Sequence, residues 1–228
     1  MYFSVISPAQ AQLRSAVRDL AHAPYGQHQW IWKFFSSEAD PDKRAARDFV
    51  FRAHLVDDVP RYYVVSSRAP VAFSADWEVQ SRDYNPLLPV GQRLSFVLCA
   101  NPVVSKKDAE GKSRRHDVVM QAKKDARTEL ADQRQPAADL VSASCLAWLQ
   151  ARAAKAGFEL VGATVEAYQQ QKARKRNVEK EISFSSVEFS GELLVTDPQL
   201  FQQTLLQGLG HAKAFGCGLL LVKKISDD

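Results

Sequence analysis

Cysteine is scarce and scattered in this chain. Cys99, Cys145 and Cys217 are odd in number, far apart and free of Cys-x-x-Cys spacing, so the sequence supports neither a disulfide framework nor a zinc site and predicts three reduced, packed thiols. Long apolar runs are missing as well. None approaches the roughly 20 residues that span a bilayer, and the chain starts directly on strand-like Met1-Tyr2-Phe3-Ser4-Val5-Ile6-Ser7 without a signal-peptide pattern, which predicts a cytoplasmic protein with no membrane partner. The glycine-rich stretch near the C-terminus carries no nucleotide-binding Gly-Lys-Ser/Thr, and no paired-carboxylate motif stands ready for a divalent ion, since Asp57-Asp58 falls in an expected turn. No cofactor and no metal are expected.

What is present is an ordinary globular composition, 228 residues with 46% hydrophobic and 25% charged, enough for one large or two small domains. Its most organised stretch lies near the C-terminus. Gly208, Gly210, Gly216 and Gly218 place four of the ten glycines within eleven residues, with Lys213 between the two Gly-x-Gly pairs. A helical pattern over Pro198 to Gln207 precedes the loop and an apolar run over Leu219 to Val222 follows it. Phosphate loops of the Walker and dinucleotide types run from strand to helix, the reverse order, so mononucleotide binding is disfavoured. Backbone amides with one cation suit a phosphodiester backbone instead.

Charge is unevenly spread. Between Ser105 and Arg127 eight basic residues, Lys106, Lys107, Lys112, Arg114, Arg115, Lys123, Lys124 and Arg127, face four acids, an excess equal to the net +4 of the whole chain. A second cluster, Lys172, Arg174, Lys175 and Arg176, contains no acid. Either alone suits a solvated face. Together with the glycine loop they favour a polyanion partner.

Read in order, Tyr2 to Ser7 is a strand and Ala9 to Ala21 has helical spacing; a second helical segment starts at Pro24, and Asp48 to Leu55 and Arg61 to Ser66 form a strand pair about Asp57-Asp58. Val71 to Arg82 is ambiguous. Tyr84 to Gly91, with two prolines and a glycine, reads as a linker. Beyond it, Arg93 to Ala100 alternates as a strand, Val103 to Met120 is a basic hairpin about Asp108 to Gly111, and Gln121 to Gln135 is a polar helix. Ala137 to Ala156 is the strongest helix, with Gly157 as its stop. Phe158 to Gln171 and Glu181 to Val195 are strands joined by the second basic cluster. Each half follows strand, helix, strand, strand, helix, strand, although the second helix of the first half is poorly formed. The fold class is therefore α+β, two tandem ferredoxin-like (RNA-recognition-motif-like) domains over 1–88 and 89–228.

These residues amount to a resemblance. Gly208-x-Gly210-x-x-Lys213-x-x-Gly216-x-Gly218-Leu219-Leu220 resembles the glycine-rich signature of the repeat-associated RNA-binding proteins of CRISPR systems. Met1-Tyr2-Phe3-Ser4, Pro24-Tyr25-x-x-His28, Pro89-Val90-Gly91-Gln92-Arg93-Leu94-x-Phe96-x-Leu98-x-Ala100-Asn101-Pro102, Ala147-Trp148-Leu149 and Phe189-x-Gly191 extend it across the chain, to the CasE family of type I-E systems. The resemblance implies a metal-free endoribonuclease that cuts precursor CRISPR RNA at the base of the repeat stem-loop. It also implies that the protein keeps the mature crRNA as a Cascade subunit, beside chiefly the repeating backbone subunit. The alternative is a non-catalytic RNA-binding scaffold subunit of the same superfamily.

Metal-free cleavage by the ribose 2′-hydroxyl requires an acid or base, a cation for the phosphorane, and in-line positioning. A histidine in a segment as aromatic as Gln27-His28-Gln29-Trp30-Ile31-Trp32 reads by itself as an ordinary packed residue; the resemblance makes His28 the acid/base and leaves His22, His54 and His116 ordinary. Tyr25, three residues earlier, shares a helix face with it. Lys33, five residues on, falls roughly 140° away around a helix, and its catalytic place rests on a lysine seen at that offset in some family members. His211 sits inside the glycine loop. The tip at Lys172, Arg174, Lys175 and Arg176 resembles the family's basic hairpin that enters the RNA stem, while Lys106, Lys107, Arg114 and Arg115 track phosphates.

Overall fold

The computed structural model describes residues 1–13, 24–35, 48–107, 109–127, 136–174 and 181–225. Strands β1 (Tyr2–Pro8), β2 (Phe49–Val56), β3 (Val59–Ser66) and β4 (Trp77–Asp83) make one antiparallel sheet in the order β2-β3-β1-β4. Strands β5 (Arg93–Ala100), β8 (Phe158–Arg174), β9 (Glu181–Val195) and β10 (Leu220–Lys224) make a second in the order β10-β5-β9-β8. Numbered within its own half, each is the 4-1-3-2 order of a ferredoxin-like sheet, so the expected fold class is the observed one. Between β5 and the next helix the second half carries an insertion, the hairpin β6 (Val103–Lys107) and β7 (Ser113–Asp117).

Among the described residues four α-helices accompany the sheets: α1 (Pro24–Trp32), α2 (Val118–Ala126), α3 (Ala137–Ala153) and α4 (Pro198–Gln207). α3 ends in a 3₁₀ turn and then at Gly157, as its sequence predicts. Asp197 caps α4 by accepting from the N–H groups of Gln199 and Leu200, with Pro198 at the first position, where its missing N–H costs nothing. α2 starts earlier than the expected Gln121, because the Asp117 carboxylate accepts from the Met120 N–H and turns Val118 to Met120 into a first helical turn instead of a strand end. The Ala9 to Ala21 helix is described only at its start, a 3₁₀ turn over Gln10–Gln12, and residues 128–135 of the polar segment lie outside the described residues. The weak second helix of the first half is a helix-free connection between β3 and β4.

The N-terminal core is aromatic. Trp30 on α1 stands 4.6 Å from Trp77, 4.8 Å from Tyr62 and 4.9 Å from Phe34, ring centroid to ring centroid. The C-terminal core interleaves Leu94, Phe96 and Leu98 of β5 and Phe189 and Leu193 of β9 with Trp148 and Leu149 of α3 and Phe201 and Leu205 of α4. A third cluster, Val50, Val65 and Leu219, joins the two halves. An ion pair also crosses between them: Arg52 Nη2 donates to Glu188 Oε2 at 2.7 Å.

The glycine loop closes by backbone contact. At its neck the Leu209 N–H donates to the Gly218 carbonyl at 2.7 Å, and the Gly218 N–H donates to the Cys99 carbonyl of β5 at 2.7 Å. A Cβ at Gly218 would stand 2.7 Å from the Leu209 oxygen, at a φ of +98°. Gly111, at the β6–β7 turn, has φ +77° and nothing within 4 Å. Gly218→Ala is therefore expected to cost about 3 kcal/mol or more, strain and collision together, and Gly111→Ala only about 1 kcal/mol. Urea unfolding of the two variants checks this, and equal losses would show that the neck is not closed by that contact.

Candidate active site

α1 begins on Pro24, whose fixed φ suits a first helical position. His28 lies on this helix, half-buried, with its ring 5.0 Å from Phe49, 6.4 Å from Phe51 and 6.2 Å from Trp32 one turn on. Burial against these rings penalises the imidazolium and holds the pKa below its ordinary 6.5. The imidazole is thus neutral at pH 7, the form that accepts a proton.

Tyr25 lies one turn before His28 on the same helix, and its side chain falls outside the described residues. Lys33 follows the last helical residue, exposed, its N–H donating to the Trp30 carbonyl at 3.0 Å. Its ammonium stands 5.3 Å from the Phe73 ring, on the Trp30–Phe34 side of the segment, whereas His28 faces Phe49 and Phe51. The two side chains have different neighbours, as the angle between them implies.

The glycine loop sits against this helix. Its 3₁₀ turn, Lys213–Phe215, packs on α1, and Gly216 presents its bare backbone to Phe51, where a Cβ would come within 3.3 Å of the ring. Through Phe51 the loop reaches His28. Lys213, assigned to phosphate by its sequence setting, donates from Nζ to the carbonyls of Gln207 at 2.6 Å and Gly208 at 2.9 Å. It therefore neutralises the C-terminal end of α4, where orphan carbonyls carry partial negative charge.

The basic hairpin is a paired ladder. Lys106 stands opposite Arg114, Ser105 opposite Arg115 and Lys107 opposite Ser113, and Lys106, Lys107, Arg114 and Arg115 are all exposed. It is fastened to α3 through Val103, whose carbonyl accepts from Trp148 Nε1 at 2.9 Å and Arg152 Nη2 at 2.8 Å. Arg115 and His211 line one cavity of about 480 Å³ with Asp117, Ser183, Phe184 and Phe215, bringing hairpin, β9 and glycine loop to a single place. Lys172 is exposed on β8, opposite Ser183; β8 continues to Arg174, of whose side chain nothing is described, and Lys175 and Arg176 lie outside the described residues.

Several features have no isolated sequence signal. Cys99 and Cys217 lie 118 positions apart, yet their Sγ atoms are 3.8 Å from each other, and the hydrogen bond between them with burial pushes the Cys99 thiol up. Burial pushes Cys145 up to about 12. All three are free thiols. The doublet His116-Asp117 has its carboxylate committed to the α2 cap and to the Ser185 hydroxyl, and no group of three or more His, Cys, Asp or Glu gathers among the described residues. Nor is any described helix long and apolar enough to cross a membrane. A second cavity, of about 300 Å³, opens beside α1 between Gln27 and the exposed face of β8 and β9.

Comparison with known proteins fits this arrangement. A family model described as CRISPR associated protein matches residues 1–224. The CRISPR-associated endoribonuclease Cse3 of Thermus thermophilus is 30% identical over 237 residues, covering 96% of each chain, and the CRISPR system Cascade subunit CasE of Escherichia coli is 28% identical over 225 residues, covering 96% of this chain and 98% of that protein. A solved structure of the endoribonuclease Cse3 bound to a 19-nucleotide RNA superposes with a TM-score of 0.70 at 28% identity, over 98% of this chain and all of that one. Matched from its first strand through β10 by the family model, and sharing its length with these relatives, the chain belongs to the CRISPR-associated proteins, within the CasE family.

Proposed function

We propose that this chain is an endoribonuclease that cuts precursor CRISPR RNA at the base of the repeat stem-loop, leaving a 2′,3′-cyclic or 3′ phosphate and a 5′-hydroxyl, and that it then holds the mature crRNA hairpin as a Cascade subunit beside the repeating backbone subunit. The observation that carries this reading is His28, kept neutral on a helix seated against the glycine loop, in a chain similar along its whole length to an endoribonuclease solved with RNA. On this reading residues 1–88 form the domain with the catalytic segment, and 89–228 the domain with the basic hairpins and the glycine loop.

His28 takes the proton of the 2′-hydroxyl as that oxygen bonds to the adjacent phosphorus, the P–O5′ bond breaks, and the leaving 5′-oxygen takes its proton from water. Tyr25, on the same helix face, orients the attacking oxygen or the imidazole. The Lys33 ammonium lies against Phe73, on the other side of the segment from His28, so this geometry does not support it as the cation for the phosphorane. No step calls on a metal or a cofactor. The exposed ladder Lys106, Lys107, Arg114 and Arg115 neutralises phosphates of the stem. The N–H groups of Gly208, Gly216 and Gly218 are bonded to the Thr204, Lys213 and Cys99 carbonyls, so the glycine loop, read from its sequence as a phosphate cradle, shapes the surface near the cut without donating those amides to RNA. Lys213 braces that loop. Lys172, Arg174, Lys175 and Arg176 reach into the stem, where a guanidinium can pair with a guanine edge.

In excess chelator, the protein is expected to cleave a repeat hairpin from its own locus and His28→Ala to bind it without cutting; binding with no cleavage by either would leave an RNA-binding subunit. Because only the neutral imidazole accepts the proton, kcat/KM should fall as pH drops, with an acid limb centred below 6.5. A limb centred above 6.5 would remove His28 from the role of base. For the clusters, alanine at Lys106 or Arg114 should weaken all hairpins alike and lower the salt slope by about 1 for each phosphate left unneutralised, whereas Arg174→Ala with Arg176→Ala should relax sequence preference, by about 1–3 kcal/mol per base pairing removed. Filter binding across salt and stem sequence separates the two, and unchanged selectivity in the arginine variant would refute its assignment.

A further inference from the structure

The cavity beside α1 has no part in the chemistry described above. Gln27, the residue before His28, forms one side, Gln169, Gln171, Ser186 and Glu188 on the exposed face of β8 and β9 form the floor, and Phe184 and Phe215 form the end wall. Those two rings stand 4.5 Å apart at 33° and separate this cavity from the larger one at the basic hairpin. The floor is an organised polar surface. Gln171 Nε2 donates to Gln169 Oε1 at 3.1 Å and to Ser186 Oγ at 3.3 Å, while Arg52, buried in the seam, fixes one oxygen of Glu188 and leaves that carboxyl side chain 38% exposed.

Resting on the proposed ribonuclease function, we infer that this cavity is a base-reading subsite, which takes the unpaired nucleotide next to the stem and selects bases carrying an exocyclic amine over uracil. Size argues for one nucleoside. About 300 Å³ is at the small end of ligand cavities, and a duplex does not enter it. Aromatic side chains at the end of such a pocket are what an unstacked base uses as a platform. The walls then choose the edge. A carboxylate accepts from the amine of cytosine, and amides pair with adenine; uracil sets a carbonyl oxygen against the Glu188 carboxylate. Position argues for the flanking nucleotide, because Gln27 is one residue from His28 and Phe215 belongs to the 3₁₀ turn that packs on the same helix.

The test uses repeat hairpins with a 2′-deoxy nucleotide at the cut, so that binding is read without cleavage. The unpaired nucleotide on each side of the stem base is set in turn to A, C, G, U or an abasic site. On one of the two sides the wild type is expected to bind the uracil and abasic RNAs about tenfold more weakly than the others. Glu188→Gln should bring uracil to within about twofold of the other bases. Gln171→Ala, whose side chain carries no fold-spanning ion pair, should narrow the same ratio while binding the abasic RNA like wild type, a pattern that general loosening does not give. Equal binding of all bases on both sides by wild type, or an unchanged ratio in both variants, overturns the subsite. Chelator-resistant cleavage of the all-ribose hairpin, run in parallel, tells the failures apart: cleavage without base preference sinks this inference alone, and loss of both hairpin binding and cleavage sinks the function beneath it.

Discussion

Two stretches of backbone meet at Gly208 and Gly218 with no room between them for a side chain, and the active-site geometry hangs from that contact. Gly218 is held on one side by Cys99 of β5 and on the other by Leu209, so the neck of the loop is fixed to the central part of the C-terminal sheet. Each such hydrogen bond is worth only about 1 kcal/mol net, and ordering glycines costs entropy. What the neck provides is position. With it closed, the Lys213–Phe215 turn packs on α1, Gly216 lies on the Phe51 ring, and Phe51 is part of the wall that dries His28. In the proposed function the base therefore has part of its dry wall held in place by a loop from the other half of the molecule.

The charged contact across the seam works differently. Arg52 is a buried guanidinium whose Nη2 is paired with Glu188 and whose Nη1 has no hydrogen-bond partner. Desolvation offsets most of what such a pair gains, so it adds little to stability while being costly to break from one side. Its consequence is geometric: a strand of the N-terminal sheet dictates where a carboxylate sits on the open face of the C-terminal one. Ion pair, neck and the Val50–Val65–Leu219 cluster together make the cleft beside α1 a property of both halves.

Much of this was legible in the sequence because it is local. The alternation of Arg93 to Ala100, the Pro198 start of α4 and the turn at Asp57-Asp58, where both residues have positive φ as a two-residue hairpin turn requires, are all set by neighbours a few positions away. The scattered motifs acquire reasons only in three dimensions. Trp148 of Ala147-Trp148-Leu149 anchors the basic hairpin through Val103 and stacks over Phe189, and Asn101 of Asn101-Pro102 donates to the Ser185 carbonyl at 2.7 Å. Lys213 shows the limit. A lysine among glycines reads as a cation awaiting an anion, and nothing local says that the orphan carbonyls of the preceding helix bend back to reach it. The pairing of Cys99 with Cys217 and the union of Gln27 with Gln169 and Gln171 are equally tertiary.

In the proposed function binding and chemistry fall to different elements of the chain, and that decides the fate of the cleaved RNA. The Lys106–Arg114 ladder lies on an inserted hairpin fastened to α3, whereas His28 lies on α1. Contacts of that kind hold substrate, transition state and stem-containing product equally; they raise affinity without favouring the transition state. Breaking one phosphodiester bond at the base of the stem leaves them all in place. In the proposed function the surface that recruits the hairpin therefore also retains it, which suits a subunit that cuts once and stays bound better than an enzyme that turns over. The small amount of differential stabilisation comes from the few groups at α1, where His28 is neutral and the neck of the glycine loop holds the backbone still.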